Sequence, residues 1–161
     1  MARFSVGYLA ERRRTLGLQT LSQCVATPYP TLQDLALAYN TAECPMLLLE
    51  AYITNLNDSC NANRMDETQI CEAGEIMYQE APYLKITEIH EFFRRVKAGY
   101  YGEYFGSLDV LKIMTDFRQF LADRVDAIRR VQSAESVRRR RQEWEQRQKM
   151  WNEQHPKRLE R

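Results

Sequence analysis

The sequence lacks the motifs that identify the common classes of enzyme. It contains no Gly-x-Ser-x-Gly, His-Glu-x-x-His or Walker phosphate-binding sequence. Histidine occurs only at His90 and His155, and the spacing of His90 from Glu88 does not place both groups on one helix face. Glu72 and Glu75 lie three residues apart, but no second set of ligands accompanies them. These absences predict a protein that is not an enzyme and that holds no metal and no cofactor.

Long apolar runs and closely spaced cysteines are also absent. No apolar run approaches the ~20 residues that cross a bilayer. The N-terminal residues soon reach Glu11 and three arginines, so they lack the apolar core of a secretory signal. The four cysteines include no Cys-x-x-Cys pair. Two disulfides are possible, but partly buried thiols are favoured. We therefore expect a protein of the bacterial cytoplasm that has no contact with a membrane.

Charge is strongly segregated along the chain, although the formal net charge is only +1. Residues 1–14 carry a net charge of +3, and residues 15–93 carry −9. Residues 94–128 carry +1, and residues 129–161 carry +6. An acidic body with basic ends bears on which partners the protein meets rather than on its fold.

Helical spacing of apolar residues predicts an all-α protein. Thr31 is expected to begin one helix, and Asp66 with Gln69 has the spacing of a capping box. Thr87 is expected to begin another helix, which Gly99 would end. Valine and isoleucine never alternate with polar residues over the length of a strand, so no sheet is expected. The predicted fold is a small helical bundle with a long basic C-terminal helix.

The longest predicted helix begins at Ser107 and reaches about Asn152. Such a helix would be on the order of 65 Å long, whereas a body of about 100 residues has a radius of gyration near ~13 Å. The far half either projects or breaks near residues 133–136 and folds back, and we favour a projecting or frayed basic helix. The predicted organisation is a partly ordered segment (residues 1–30), a helical bundle (31–131) and a basic helical tail (132–161).

A loop rich in glycine and aromatic residues separates the last two predicted helices, at residues 97–107. Its glycines could cradle a phosphate ahead of a helix, but no strand precedes them. The run superficially resembles the RNA-binding strand of the RRM fold, which its place between helices excludes. A structured loop that covers the core is favoured, with a stacking surface for a partner or nucleic acid as the alternative. The candidate binding residues are Lys97, Tyr100, Tyr101, Tyr104 and Phe105.

The predicted tail contains four consecutive arginines and two tryptophans. Arg138, Arg139, Arg140 and Arg141 are candidates for contact with phosphate. Four consecutive residues spread around a helix as a collar, however, and glutamates four residues away favour a solvated helix. Trp144 and Trp151 lie seven residues apart on one face, where they could dock to a partner.

Residues 85–124 resemble a family of uncharacterised small proteins of Bacteroidetes, often found in phages and mobile elements. The resemblance rests on KITEI at 85–89, FFRRVKAG at 92–99, YG at 101–102 and YFGSLD at 104–109. A later helix fits with four further residues, Ile113, Phe120, Leu121 and Arg124. Val110 replaces the usual proline. The resemblance implies no particular activity. The layout is more loosely similar to phage helicase-loader proteins, which have an acidic helical body and a basic C-terminal region.

Together these observations predict a non-enzymatic accessory or adaptor protein of phage or mobile-element DNA metabolism. Its body would bind a protein partner through the 97–107 loop, and nucleic acid binding through residues 129–161 is possible. The alternative is a structural or assembly protein that forms oligomers through its C-terminal helix.

Overall fold

The computed structural model describes residues 6–60, 63–102 and 107–155, and every regular element within them is a helix. These helices are α1 (Val6–Thr15), α2 (Leu21–Ala26), α3 (Leu32–Tyr39), α4 (Glu43–Ser59), α5 (Glu67–Glu80), α6 (Ile86–Lys97) and α7 (Val110–Gln154). Only two isolated backbone bridges join extended residues in the described ranges, Thr31 with Lys85 and Asn63 with Ser107. The prediction of an all-α protein with a long C-terminal helix is confirmed.

The core forms around α6, whose apolar face is buried by α4, α2 and the first half of α7. Phe92 lies at its centre, with ring centroids 5.3 Å from Phe117 and 5.4 Å from Phe120. On the other side Phe93 stacks on Tyr52 at 5.1 Å. Burying each of these side chains contributes roughly 1.5–3 kcal/mol to folding. The core therefore fixes the position of α7 relative to the body.

Two of the four helix starts that the sequence predicted are confirmed. The hydroxyl of Thr31 accepts a hydrogen bond from the Asp34 amide at 3.0 Å, and Asp66 accepts one from the Gln69 amide at 2.9 Å. The prediction for Thr87 is wrong, because α6 already begins at Ile86.

The start of α6 is set by a glutamate rather than by a threonine. The Glu88 carboxylate accepts a hydrogen bond from the Lys85 amide at 3.0 Å, and this contact caps the helix two residues earlier than predicted. Thr87 then lies inside the first turn, where it is buried and its Oγ1 has no hydrogen-bond partner. The cap stabilises this end of the helix, whereas the unsatisfied Thr87 hydroxyl next to it is destabilising.

The start of α7 also differs from the prediction. Asp109, not Ser107, caps the helix, and its carboxylate accepts a hydrogen bond from the Lys112 amide at 2.8 Å. At the preceding end, Gly99 has φ of +73° and terminates α6, as predicted. A second glycine with positive φ, Gly102 at +94°, turns the chain again before α7.

The N-terminal helices pack onto the bundle. Leu21 and Cys24 of α2 are buried, and α2 lies against both α6 and α7. A capping box between Thr20 and Gln23 begins this short helix. The side chain of Lys85 donates hydrogen bonds to the carbonyls of Val25 and Thr27, which fixes the end of α2.

The second half of α7 leaves the body. The helix has 45 residues, or about 67 Å at ~1.5 Å per residue, and its last buried residue is Ala127. From residue 132 to residue 154 every residue except Ser136 is exposed. We call residues 129–155 the arm. The preference for a projecting helix is confirmed, and the alternative of a break near residues 133–136 is wrong.

None of the helices in the described ranges combines the length and the apolar character that crossing a bilayer requires.

Candidate functional site

The arm presents one face on which arginine and tryptophan side chains are interleaved. At ~100° per residue, a set of arm residues lies within roughly 60° of Trp144 around the helix. We call this set the Arg/Trp face. It comprises Arg129, Arg130, Ser133, Val137, Arg140, Arg141, Trp144, Arg147, Gln148, Trp151 and His155. It thus holds five arginines and both tryptophans of the chain, and no carboxylate.

The glutamates of the arm lie on its flanks and on its opposite side. Glu143 and Glu145 lie roughly 100° to either side of Trp144, and Glu135 and Glu153 lie roughly opposite it. One face arginine, Arg141, is paired with a glutamate, through an Nε–Oε1 distance of 2.9 Å to Glu145. Both members of this pair are more than half exposed, so the contact is weak and easily exchanged.

Both tryptophans are exposed to solvent. Trp144 is 57% exposed and Trp151 is 53% exposed, which is high for the largest apolar side chains. Trp151 stacks on His155 with a centroid distance of 3.9 Å. Val137, one helical repeat before Trp144, is also exposed. These side chains form an apolar stripe that no described part of the body covers.

The four consecutive arginines are divided between two sides of the helix. Arg140 and Arg141 belong to the Arg/Trp face, whereas Arg138 and Arg139 point away from it. Arg139 lies 4.0 Å from Glu143. The run therefore forms a collar, as predicted, but only half of it accompanies the tryptophans.

The candidate residues of the loop after α6 have different surroundings. Lys97 donates hydrogen bonds from Nζ to the side chain and carbonyl of Asn55, and burial lowers the pKa of Lys97. The Tyr101 hydroxyl donates to Asp123 at 3.3 Å, and burial raises the pKa of Tyr101 to about 12. Both side chains hold the loop against the body. Tyr104 and Phe105 lie outside the described residues.

Of the described aromatic candidate residues of the loop, Tyr100 is the one that remains exposed. It is 61% exposed, and the guanidinium groups of Arg94 and Arg95 lie 5.8 Å and 5.4 Å from its ring centroid. A cavity of about 380 Å³ next to it is also lined by Arg130, the second residue of the arm. Tyr100 and the Arg/Trp face thus meet at the foot of the arm.

The interpretation of the loop as a phosphate cradle finds little support in this geometry. The amide of Lys112 at the start of α7 is already bound by the Asp109 carboxylate. A second anion at this helix end would meet that carboxylate.

The buried glutamates of the body form ion pairs with arginines. Glu88 is fully buried and its Oε1 lies 2.7 Å from Arg124 Nε. Glu91 is 1% exposed and accepts hydrogen bonds from Arg94 and Arg95 at 2.8–3.0 Å. A buried carboxylate held this way is a structural ion pair rather than a base poised to accept a proton.

The residues that carry the family resemblance over residues 85–124 therefore have structural roles. Glu88 and Arg124 pair, Gly99 ends α6, Asp109 caps α7, and Phe92 centres the core. The resemblance over residues 85–124 includes none of the arginines of the arm.

His90 lies at the boundary of the core. Its Nδ1 is 3.0 Å from the hydroxyl of Tyr52, and burial raises the pKa of Tyr52 above its usual value.

Within the described ranges no three histidine, cysteine or acidic side chains form a group that could hold a metal ion. The four cysteines form no disulfide with one another.

The candidate residues named from the sequence do not include Arg129, Arg130 and Arg147. The signal that finds them is the seven-residue spacing of Val137, Trp144 and Trp151. Counting three residues on from Trp144 reaches Arg147, and counting seven or eight residues back from Val137 reaches Arg130 and Arg129.

Comparison with known proteins identifies a family but no characterised relative. Residues 64–148 match DUF6633, a family of unknown function. The match covers α5, α6 and most of α7, including Trp144 but not Trp151. No curated protein and no solved structure gives a significant match. The predicted resemblance to an uncharacterised family is confirmed by this match to a family of unknown function. Because the matched residues make up more than half of the sequence, the chain belongs to DUF6633.

Proposed function

We propose that this protein is a non-enzymatic accessory protein that binds nucleic acid through its arm. The observation that carries the proposal is the Arg/Trp face, which displays five exposed arginines and no carboxylate. Guanidinium groups bind phosphate oxygens through paired hydrogen bonds, and the released counterions make such binding favourable at moderate salt.

The distribution of charge favours contact by the arm rather than by the body. Residues 15–93 carry a net charge of −9, so much of the body repels a polyanion. A helix that holds Arg140, Arg141 and Arg147 about 20–30 Å beyond its last buried residue, Ala127, keeps a bound strand away from that charge. The acidic body also orients the protein during approach.

The wider setting of this function follows the sequence prediction. We place the protein in the bacterial cytoplasm, in the DNA metabolism of a phage or mobile element, on the strength of its resemblance to proteins from such genomes. In that setting its body would act as an adaptor for a protein partner through the exposed part of the 97–107 loop.

The test compares two triple variants that remove equal charge from opposite sides of the arm. The face variant is Arg140→Gln/Arg141→Gln/Arg147→Gln. The control is Arg138→Gln/Arg139→Gln/Lys149→Gln, whose side chains lie away from the tryptophans. Each variant removes one member of an arm ion pair, Arg141 or Arg139. Fluorescence anisotropy with a labelled oligonucleotide measures binding at several salt concentrations.

The face variant is expected to weaken binding and to lower the slope of log K against log salt by about two, because ~0.7 counterions are released per contact with a single strand. The control variant should keep most of the affinity. Equal losses of affinity in both variants would show that binding depends on the total charge of the arm and not on the Arg/Trp face. No measurable binding by the unaltered protein would end the proposal.

A second candidate function is assembly through the arm, which the seven-residue stripe of Val137, Trp144 and Trp151 favours. Such spacing is typical of one seam position of a coiled coil. The neighbouring seam positions hold Arg140 and Arg147, however, and like charges there disfavour pairing of two arms. Sedimentation velocity of the full chain and of Trp144→Ser/Trp151→Ser distinguishes the two: assembly predicts a dimer that the variant dissociates, and nucleic acid binding predicts a monomer in both.

A further inference from the structure

We infer that the nucleic acid is single-stranded, and that it follows the Arg/Trp face from Trp151 to the cavity at the foot of the arm, where Tyr100 stacks on a base. The inference rests on the proposed function and adds to it the class of nucleic acid and the second half of the path.

The exposed tryptophans distinguish a single strand from a duplex. Trp144 and Trp151 are each more than half exposed on the face that carries the arginines. Their indole rings can stack on bases only where those bases are not already stacked and paired in a duplex. Arg140, Arg141 and Arg147 lie one helical turn from the rings, so phosphates between successive stacked bases meet guanidinium groups.

The cavity at the foot of the arm supplies a further stacking residue. It has a volume of about 380 Å³ and lies between α2, the loop after α6 and α7, with Arg95, Tyr100 and Arg130 in its wall. This volume falls in the range of pockets that hold small organic groups. Tyr100 is 61% exposed, so its ring is accessible to a base.

Two carboxylates also line the cavity, and each is paired with an arginine. Asp123 lies 2.9 Å from Arg95, and Asp126 lies 3.1 Å from Arg129. Arg95 and Arg130 in the wall of the cavity balance the charge of Asp123 and Asp126, so the wall carries no net negative charge.

The cavity and the Arg/Trp face are continuous. Arg130 belongs to both, and Asp123 and Asp126 lie on the same side of α7 as Trp144, within roughly 60°. The rise from Arg130 to Trp151 is about 32 Å. A strand long enough to cover this distance would contact both ends of the path, and a shorter one would contact only the arm.

The first experiment uses the two tryptophans as probes, because they are the only ones in the chain. Oligothymidylate and oligouridylate of about 20 nucleotides, and a duplex of the same length, are titrated into the full chain at one salt concentration. Both single strands are expected to quench tryptophan fluorescence and to bind at least about tenfold more tightly than the duplex. A preference for either sugar is compatible with the inference.

Substitutions then test the stacking. Trp144→Ala is expected to weaken binding of the single strand at least about fivefold, and Trp144→Phe less. The matched control is Met150→Ala, because Met150 is 54% exposed on the same arm but lies away from the face.

The cavity is tested through strand length. Tyr100→Ala is expected to weaken binding of the strand of about 20 nucleotides at least about fivefold and to leave a strand of about four nucleotides, which covers only part of the path, unaffected. Tyr100→Phe, which keeps the ring, should bind both as the unaltered chain does.

The outcomes separate this inference from the proposed function. Equal affinity for duplex and single strand without quenching would overturn the inference while the arginine test still supports nucleic acid binding. Displacement of the strand by polyglutamate of equal charge and at equal concentration would also overturn it, since the face would then be a general surface for polyanions or acidic proteins. Unchanged binding of the longer strand by Tyr100→Ala would remove the cavity from the path.

Discussion

Two arginine–glutamate pairs of nearly equal geometry show how differently charge is used in the body and in the arm. Arg124 and Glu88 approach to 2.7 Å, and Arg141 and Glu145 approach to 2.9 Å. The side chains of the first pair are 17% and 0% exposed, whereas those of the second are 80% and 53% exposed. The distance between the charged atoms is almost the same in the two pairs, but their exposure to solvent differs.

The difference in burial determines what each pair can do. In the body the Glu88 carboxylate depends on Arg124 and the Lys85 amide, because water cannot reach it. In the arm, water solvates both partners, so Arg141 can leave Glu145 for a phosphate at little cost. Charge in the body therefore fixes the position of α7 on α6, and charge in the arm remains available for binding.

The largest expected effect comes from breaking the buried pair. Arg124→Met should lower the free energy of unfolding by about 3–5 kcal/mol, because it leaves a buried carboxylate without its cation. Urea denaturation measures the loss. Replacing both partners, as Glu88→Gln/Arg124→Met, should recover part of it. A loss below about 1 kcal/mol in the single variant would show that water reaches Glu88.

Removing a buried group that lacks a partner should change the free energy of unfolding in the opposite direction. The Thr87 hydroxyl is buried next to Glu88 and has no hydrogen-bond partner. Thr87→Val keeps the shape and removes the unsatisfied group, so it should raise the free energy of unfolding by about 1 kcal/mol. Thr87→Ser, which keeps the hydroxyl, is the control and should not stabilise. Thermal unfolding of the three proteins compares them, and destabilisation by valine would reveal a partner for the hydroxyl.

The exposed pair should respond far less. Arg141→Met is expected to change the free energy of unfolding by no more than about 0.3–0.5 kcal/mol, the usual contribution of an exposed helical pair. The same urea titration that is used for Arg124→Met gives the comparison. A loss as large as that of the buried pair would mean that the arm packs against something in solution.

The smallest effect is expected from removing the arm. A chain that ends at Val131 should unfold at nearly the same urea concentration as the full chain, because no residue from 132 to 154 is buried. Its helical circular dichroism should fall with the loss of the arm. In the full chain, hydrogen exchange should be fast in the arm and slow around Phe92 and Phe117. Slow exchange throughout the arm would contradict this division.

Local sequence signals were sufficient for much of the fold. The caps at Thr31 and Asp66 form between residues three apart, so no distant part of the chain takes part in the decision. The end of α6 at Gly99 follows from the ease with which glycine adopts positive φ. The projection of the arm follows from helix length against body size.

The sequence by itself determined the helical class, the segregation of charge and the long basic helix, because these follow from composition and from contacts within about four residues. Only the tertiary structure decided that Thr87 is buried and that Glu88 pairs with Arg124, which lies 36 residues further along the chain. It also placed Tyr100 beside Arg130. Such contacts depend on how helices pack, and packing is decided by the shape and burial of side chains that are distant in sequence.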